Sequence, residues 1–221
     1  MIQCIKLVIF DLDGTILNTI VDLARSVNYA LENCGFPVHA IDTCKFFVGN
    51  GINKLLERSL PENQKTEQNI ARLKEFFIPY YEEHNMDYTE PYPGVHELLK
   101  ALQSKGLMLA VASNKYQSAT EKLIRRYFPD ITFTAVFGQR EAVPVKPNPA
   151  IVYDILQIAG ISPQETIYIG DSGVDMTTAS NSGVTSIGVT WGFRLREELE
   201  AAGAGLIVDT PEELFLALRS A

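Results

Sequence analysis

A short apolar run ends in two aspartates one residue apart, Lys6-Leu7-Val8-Ile9-Phe10-Asp11-Leu12-Asp13-Gly14-Thr15. Residues 7–11 read as a buried strand that runs into a polar, glycine-containing turn. In an open α/β sheet, ligands bind beyond the carboxyl ends of the strands. A carboxylate placed there is therefore positioned for chemistry. Two carboxylates this close repel each other and call for a cation, a metal ion first of all.

The rest of the chain supplies the other parts of such a fold. After the first strand, Ile20, Leu23, Ala24, Val27, Ala30, Leu31 and Cys34 recur at helical spacing, and Gly35 stops the helix. A short helix over 41–48, a Gly49-Asn50-Gly51 break, and a helix through Leu55, Leu56 and Leu60 ended by Pro61 follow. A longer helix carries Ile70, Leu73, Phe77, Tyr80, Tyr81 and His84 on one stripe, with Pro79 expected to kink it. No strand is evident between Asn18 and Asn85. The turn-rich stretch 88–94 then leads into alternating elements: a helix over 95–105 and strands over 107–112, 166–169, 185–189 and 206–208. Helix starts are marked by Asn148-Pro149 and by capping boxes at Ser162–Glu165 and Thr210–Glu213. Alternation of this kind predicts a Rossmann-like, doubly wound parallel sheet with an all-helical insertion after its first strand. The expected division is a core of residues 1–17 and 89–221 and a helical cap of 18–88, the cap lying over the strand ends as a lid.

Four loops meet at that edge: Asp11 and Asp13; Ser113-Asn114-Lys115; Lys146-Pro147-Asn148; and Gly170-Asp171-Ser172-Gly173-Val174-Asp175. Carboxylates suit a hard divalent cation, and hydroxyl, backbone amide and lysine suit a phosphate. An aspartate can also act as a nucleophile. The set fits phosphoryl transfer, in which the protein positions groups and neutralises charge. Each piece alone has a plainer reading. Asp-x-Asp-Gly occurs in turns and in calcium loops, but the acidic ladder of an EF-hand is missing here. Ser113-Asn114 alone reads as a helix cap and Lys146 alone as a solvated charge. Gly170-Asp171-Ser172-Gly173 is similar to the loop around a serine-protease nucleophile, yet no histidine has suitable company. His39, His84 and His96 lack ligand spacing for zinc. The aromatic stripe of Phe77, Tyr80 and Tyr81 and the lone Trp191 read as packing.

Together, in this order, the four motifs resemble those of the haloacid dehalogenase-like phosphohydrolases, over essentially the whole chain. Val48-Gly49-Asn50-Gly51 and Val189-Thr190-Trp191-Gly192-Phe193-Arg194 are similar to stretches of the phosphoglycolate phosphatases within that family. The resemblance implies that Asp11 attacks phosphorus and that Asp13 protonates the leaving alcohol and later deprotonates water. It implies phosphate binding by Ser113, Asn114 and Gly14, and screening of Asp11 by Lys146. Mg²⁺ is implied on Asp11, Asp171 and the Asp13 carbonyl. Asp175 supports either Lys146 or a metal-bound water. Gly49, Asn50 and Gly51 are implied to form a loop over the substrate, although glycines there also suit a simple interhelical turn. Asn18 departs from the aspartate of many relatives. The implied substrate is a small phosphate ester, 2-phosphoglycolate first. Alternatives are a phosphosugar mutase, a pyrophosphatase or nucleotidase, and a regulatory phosphate-binding module without turnover.

The chain has 221 residues, and its formal charge of −8, from 19 basic against 27 acidic residues, argues against a nucleic-acid or anionic-membrane partner. No apolar run spans a membrane, no cleavable leader is evident, and Cys4, Cys34 and Cys44 read as reduced thiols. A cytoplasmic monomer or homodimer is the corresponding expectation.

Overall fold

The computed structural model describes residues 5–219, so Cys4 lies outside the described residues. The chain begins with β1 (Leu7–Phe10) and β2 (Leu17–Asn18), and four helices follow: α1 (Ile20–Cys34), α2 (Ile41–Cys44), α3 (Gly51–Ser59) and α4 (Glu67–His84). The remainder alternates: β3 (Glu90–Pro91), α5 (Val95–Ser104), β4 (Met108–Tyr116), α6 (Gln117–Tyr127), β5 (Phe133–Gln139), α7 (Ala150–Ala159), β6 (Thr166–Gly170), α8 (Gly173–Ser182), β7 (Thr185–Val189), α9 (Arg196–Ala201), β8 (Leu206–Val208) and α10 (Pro211–Arg219).

Six strands form one parallel sheet in the order β5-β4-β1-β6-β7-β8. Counted along the core alone this is the 3-2-1-4-5-6 arrangement of doubly wound folds, and its order reverses between β1 and β6. The sheet is covered on both faces, which is why β1 is apolar at every position. Val8 and Phe10 pack with Leu98, Leu123 and Leu214, while Leu7 and Ile9 pack with Ile151, Ile155 and Ala179. Successive side chains of a strand point to opposite faces, so a continuous apolar run marks a central strand.

The helices between β2 and β3 bury their own stripe, with Leu23, Val27, Leu31, Leu56, Leu73 and Phe77 in one cluster. Gly35 ends α1 in the left-handed conformation (φ 76°), as its position predicts. Helix α4 continues past Pro79 to His84. The chain leaves and re-enters the sheet side by side, because β2 pairs antiparallel with β3. Asp22, buried at the start of α1, accepts hydrogen bonds from the Tyr88 and Thr89 amides and from the Thr89 hydroxyl at 2.7–3.1 Å.

Some details differ from the sequence reading. Helix α6 and strand β5 have no counterpart in it. Strand β5 lies at the sheet edge with most of its side chains only partly buried, so it lacks the continuous apolar run of its neighbours. Strand β4 continues to Tyr116, four residues past its expected end, and its register with β5 shifts between Ala112 and Tyr116. Ser113, Asn114 and Lys115 are buried in that extension, and their polarity hid it. Helix α7 starts at Ala150, one residue later than expected, with Asn148 Oδ1 accepting from the Ala150 amide. The Ser162–Glu165 capping box forms. At the last helix the Thr210 hydroxyl accepts from the Glu213 amide, but the Glu213 carboxylate reaches back to the Asp209 amide. No described helix is long and apolar enough to cross a membrane.

Candidate active site

The reversal of strand order brings the acidic residues together. Asp11 follows β1 and Asp171 follows β6, on either side of the switch point. The Asp11 amide donates to the Ile169 carbonyl at 2.9 Å, which extends the β1–β6 pairing to the residue that carries the carboxylate. Carboxylate oxygens of Asp11, Asp171 and Asp175 lie within 4.8 Å of one another, and all three residues are buried.

One lysine faces this cluster. Lys146, 2% exposed, donates from Nζ to Asp11 Oδ1 and Asp175 Oδ1, each at 2.8 Å, and lies 2.9 Å from both the Ala112 carbonyl and the Tyr168 hydroxyl. Burial works against its charge, but Asp11 and Asp175 outweigh that and hold the ammonium well above the usual lysine value. Asn114 fixes the lysine's main chain, accepting from the Lys146 amide at 2.8 Å and donating to its carbonyl at 3.0 Å. The same Asn114 amide group donates to the Gly49 carbonyl at 2.8 Å, linking β4 to the loop before α3. Asp175 contacts Lys146 directly, and its second oxygen accepts from the Ser172 hydroxyl and amide, the capping box that starts α8.

Burial raises Asp11 from 3.8 to about 7, with Lys146 opposing the shift and Asp175 adding to it. Burial likewise pushes Asp171 well above the usual carboxylate range, and Asp175 and Asp11 reinforce this. Asp171 accepts from the Phe193 amide at 2.7 Å and the Thr15 hydroxyl at 3.3 Å. Among the described residues it has no ion pair. Three buried carboxylates thus face one ammonium, an imbalance that a bound divalent cation would neutralise. Gly14 and Gly192 wrap this group so closely that a Cβ on either would collide with the Asp171 carboxylate. Gly14 holds a left-handed conformation (φ 89°), where a side chain would be strained in any case.

Beside the cluster lies a cavity of about 50 Å³, lined by Asp11, Asp13, Ser113 and Lys115 from the sheet and by Phe77 and Tyr81 among residues of the helical segment. Asp13 Oδ1 accepts from the Thr19 hydroxyl at 2.6 Å and pairs with Lys115 Nζ at 3.0 Å. Ser113 Oγ accepts from the Lys115 amide at 3.2 Å. Gly49 and Gly51 line the cavity too. Asn50 does not: it borders a separate cavity and accepts from Arg58 at 2.7 Å.

Residues 8–189 match the profile of the haloacid dehalogenase-like hydrolases. The chain belongs to that family. Among its relatives, the phosphoglycolate phosphatase of Mannheimia succiniciproducens is 34% identical over 194 residues, 85% of this chain and 87% of the relative. That of Haemophilus influenzae (strain 86-028NP) is 31% identical over 219 residues, 96% of this chain and 98% of the relative. A solved structure from Lactobacillus delbrueckii subsp. bulgaricus, 35% identical, superposes with a TM-score of 0.92 over 96% of this chain and 98% of its own.

Two features of this haloacid dehalogenase-like hydrolase went unassigned in the sequence. Lys115 directly follows Ser113-Asn114, and its extended-strand position, which puts it on the cavity, is the signal that was missed. Tyr81 belongs to the packing stripe of α4 yet brings its hydroxyl to Lys115 at 2.8 Å. Its neighbour Tyr80 instead stacks on Tyr29, with ring centroids 4.1 Å apart. Trp191 packs against the core and donates to the Thr15 carbonyl at 2.9 Å, bracing the turn that carries Asp13.

Proposed function

We propose that this hydrolase is a phosphatase that cleaves a small phosphate monoester, 2-phosphoglycolate, through an aspartyl phosphate on Asp11. One observation carries this reading: the Asp11 carboxylate stands at a strand end between Lys146 and Asp171, in a cavity that also holds Asp13 and Ser113. The names of the relatives supply the substrate.

Asp11 attacks phosphorus, and the bond to the ester oxygen breaks. Asp13, held by Thr19 and Lys115, delivers a proton to the departing alkoxide. The water that next attacks the phosphoryl group gives its proton back to Asp13, and Asp11 is released as the free carboxylate. The Ser113 hydroxyl and the Asn114 main-chain amide hold phosphoryl oxygens, and Lys146 offsets charge on Asp11 and on the phosphoryl group. The carboxylates of Asp11 and Asp171 and the Asp13 carbonyl would hold Mg²⁺, which screens the repulsion between nucleophile and phosphate when bound. Residues 18–88 act as a cap that closes over the ester and excludes bulk water.

With Mg²⁺ and a panel of phosphate monoesters, purified protein is expected to release phosphate, fastest from 2-phosphoglycolate, and to stop when the metal is chelated. No release from any member of the panel would remove the reading.

The metal also leaves a mark on stability. Asp11 keeps its proton to about pH 7 in the folded, metal-free chain but loses it near 3.8 when unfolded. Between those values the unfolded state binds fewer protons, so this group's contribution to stability falls as pH rises and levels off above about 7. Metal binding requires the ionised acids and displaces their protons. The rise in melting temperature caused by Mg²⁺ is therefore expected to be small at about pH 5 and large at about pH 8. Thermal melts with and without Mg²⁺ measure it, and a shift that ignores pH would count against this metal site.

A further inference from the structure

We infer that Lys115 selects esters that carry a second anionic group, a carboxylate, beside the phosphate. The inference rests on the phosphatase reading and names which end of the substrate the cavity recognises.

The cavity wall contributed by the helical segment is mainly apolar: Leu23, Val48, Ile52, Leu55 and Phe77. Lys115 is the one cation among the lining residues, and it is 8% exposed. A carboxylate moved from water into such surroundings is costly unless it meets a positive partner. The other cations nearby do not qualify. Lys146 is held between Asp11 and Asp175. Arg58 and Arg194 border the second cavity, where Arg58 donates to the Phe47 carbonyl at 3.1 Å and Arg194 to the Val48 carbonyl at 2.7 Å.

Lys115 is also held in position. Its ammonium touches the Tyr81 hydroxyl at 2.8 Å and Asp13 at 3.0 Å, and it sits 4.7 Å from the centre of the Tyr81 ring. An ammonium has three N–H donors; the Tyr81 hydroxyl takes one, and Asp13 stands at ion-pair distance. With Asp13 on one side and the apolar wall on the other, a remaining hydrogen is left for a ligand bound at Asp11. An ester of a neutral alcohol would make no use of it. An ester of a short hydroxy acid would place a carboxylate within the same small space.

Binding of non-hydrolysable phosphonates tests this without turnover. In Mg²⁺, calorimetry compares 3-phosphonopropionate, which carries the carboxylate, with propylphosphonate, which does not. Wild-type protein is expected to prefer the first by roughly 10- to 150-fold, the range of a charge-assisted hydrogen bond. In Lys115→Met the preference should shrink to within about threefold, and Lys115→Arg should keep part of it. Turnover falls with both esters in the methionine variant, because Asp13 loses a partner, so the ratio of the two affinities is the readout. Equal binding of the two phosphonates by wild-type protein would overturn the inference, as would an undiminished preference in Lys115→Met. If that variant does not fold, the wild-type ratio together with Lys115→Arg decides. Phosphate release from neutral esters without any carboxylate preference sinks this inference alone. A carboxylate preference in binding with no ester cleaved sinks the phosphatase reading instead.

Discussion

Asp11→Asn is expected to be inactive and fully folded. The carboxamide has the shape of the carboxylate, and its oxygen still accepts the Lys146 hydrogen bond that Asp11 accepts at 2.8 Å. It is not a nucleophile, so no aspartyl phosphate forms. Phosphate release in Mg²⁺ should fall on the order of 10⁴- to 10⁶-fold, the scale seen when an attacking group is removed. Stability should move the other way. Asp11 resists ionisation because it is buried, so a neutral side chain relieves a penalty at neutral pH. Without metal, the variant's melting temperature is expected to equal or exceed that of the wild type at about pH 8. That pairing of a dead enzyme with an intact fold separates loss of the nucleophile from loss of structure. Residual release within about tenfold of wild type would exclude Asp11 as the attacking group.

Lys146→Met should have the opposite signature: the fold itself suffers. Two buried carboxylates, Asp11 and Asp175, then share no cation, and the Ala112 carbonyl and Tyr168 hydroxyl lose a donor. Breaking a buried pair from one side costs about 3–5 kcal/mol, a large part of the roughly 5–15 kcal/mol that holds a domain together. The cost depends on pH with a definite sign. Without the lysine that opposes its upward shift, buried Asp11 would hold its proton still further above the unfolded value. The variant's deficit therefore shrinks as pH falls and is largest above neutrality. Urea denaturation of both proteins at about pH 5 and about pH 8 measures it. A deficit below about 1 kcal/mol that does not vary with pH would mean that Lys146 is not the counter-ion of these carboxylates.

The central strand was readable because it is buried on both faces and so has no polar residue until Asp11. The same logic exposed β6 and β7. It failed at β5, an edge strand whose one-sided burial leaves a broken pattern, and at the end of β4, where burial coincides with polarity. Asp11, Asp13 and Asp171 were readable because each ends or follows a strand whose position could be inferred, whereas Lys146 follows the unread β5 and stood out only through its Lys-Pro motif. What the sequence could not show was partnership. Nothing in the spacing of Asp175 says that it shares Lys146 with Asp11. Nothing in Asn114 says that its side chain bonds the Lys146 main chain and the Gly49 carbonyl rather than a ligand. Such contacts join residues dozens of positions apart and depend on the order of strands in the sheet. Asn50 illustrates the converse: chain proximity to Gly49 and Gly51 suggested a shared role, yet its backbone turns it toward Arg58.

The pairing of β2 with β3, tied by Asp22, has a mechanical consequence. Both passages of the chain go through one narrow neck, so a swing of the helices about the sheet has a single pivot. Displacement then grows with distance along the lever. Thr19 sits at this neck and donates to Asp13 at 2.6 Å, so under the proposed mechanism the acid would keep its posture while the helices moved. The hydrogen bonds of Asn114 to the Gly49 carbonyl and of Arg194 to the Val48 carbonyl lie away from the neck and would have to break in such a swing. The molecule would thus open at the side where an ester enters while its acid stays aimed.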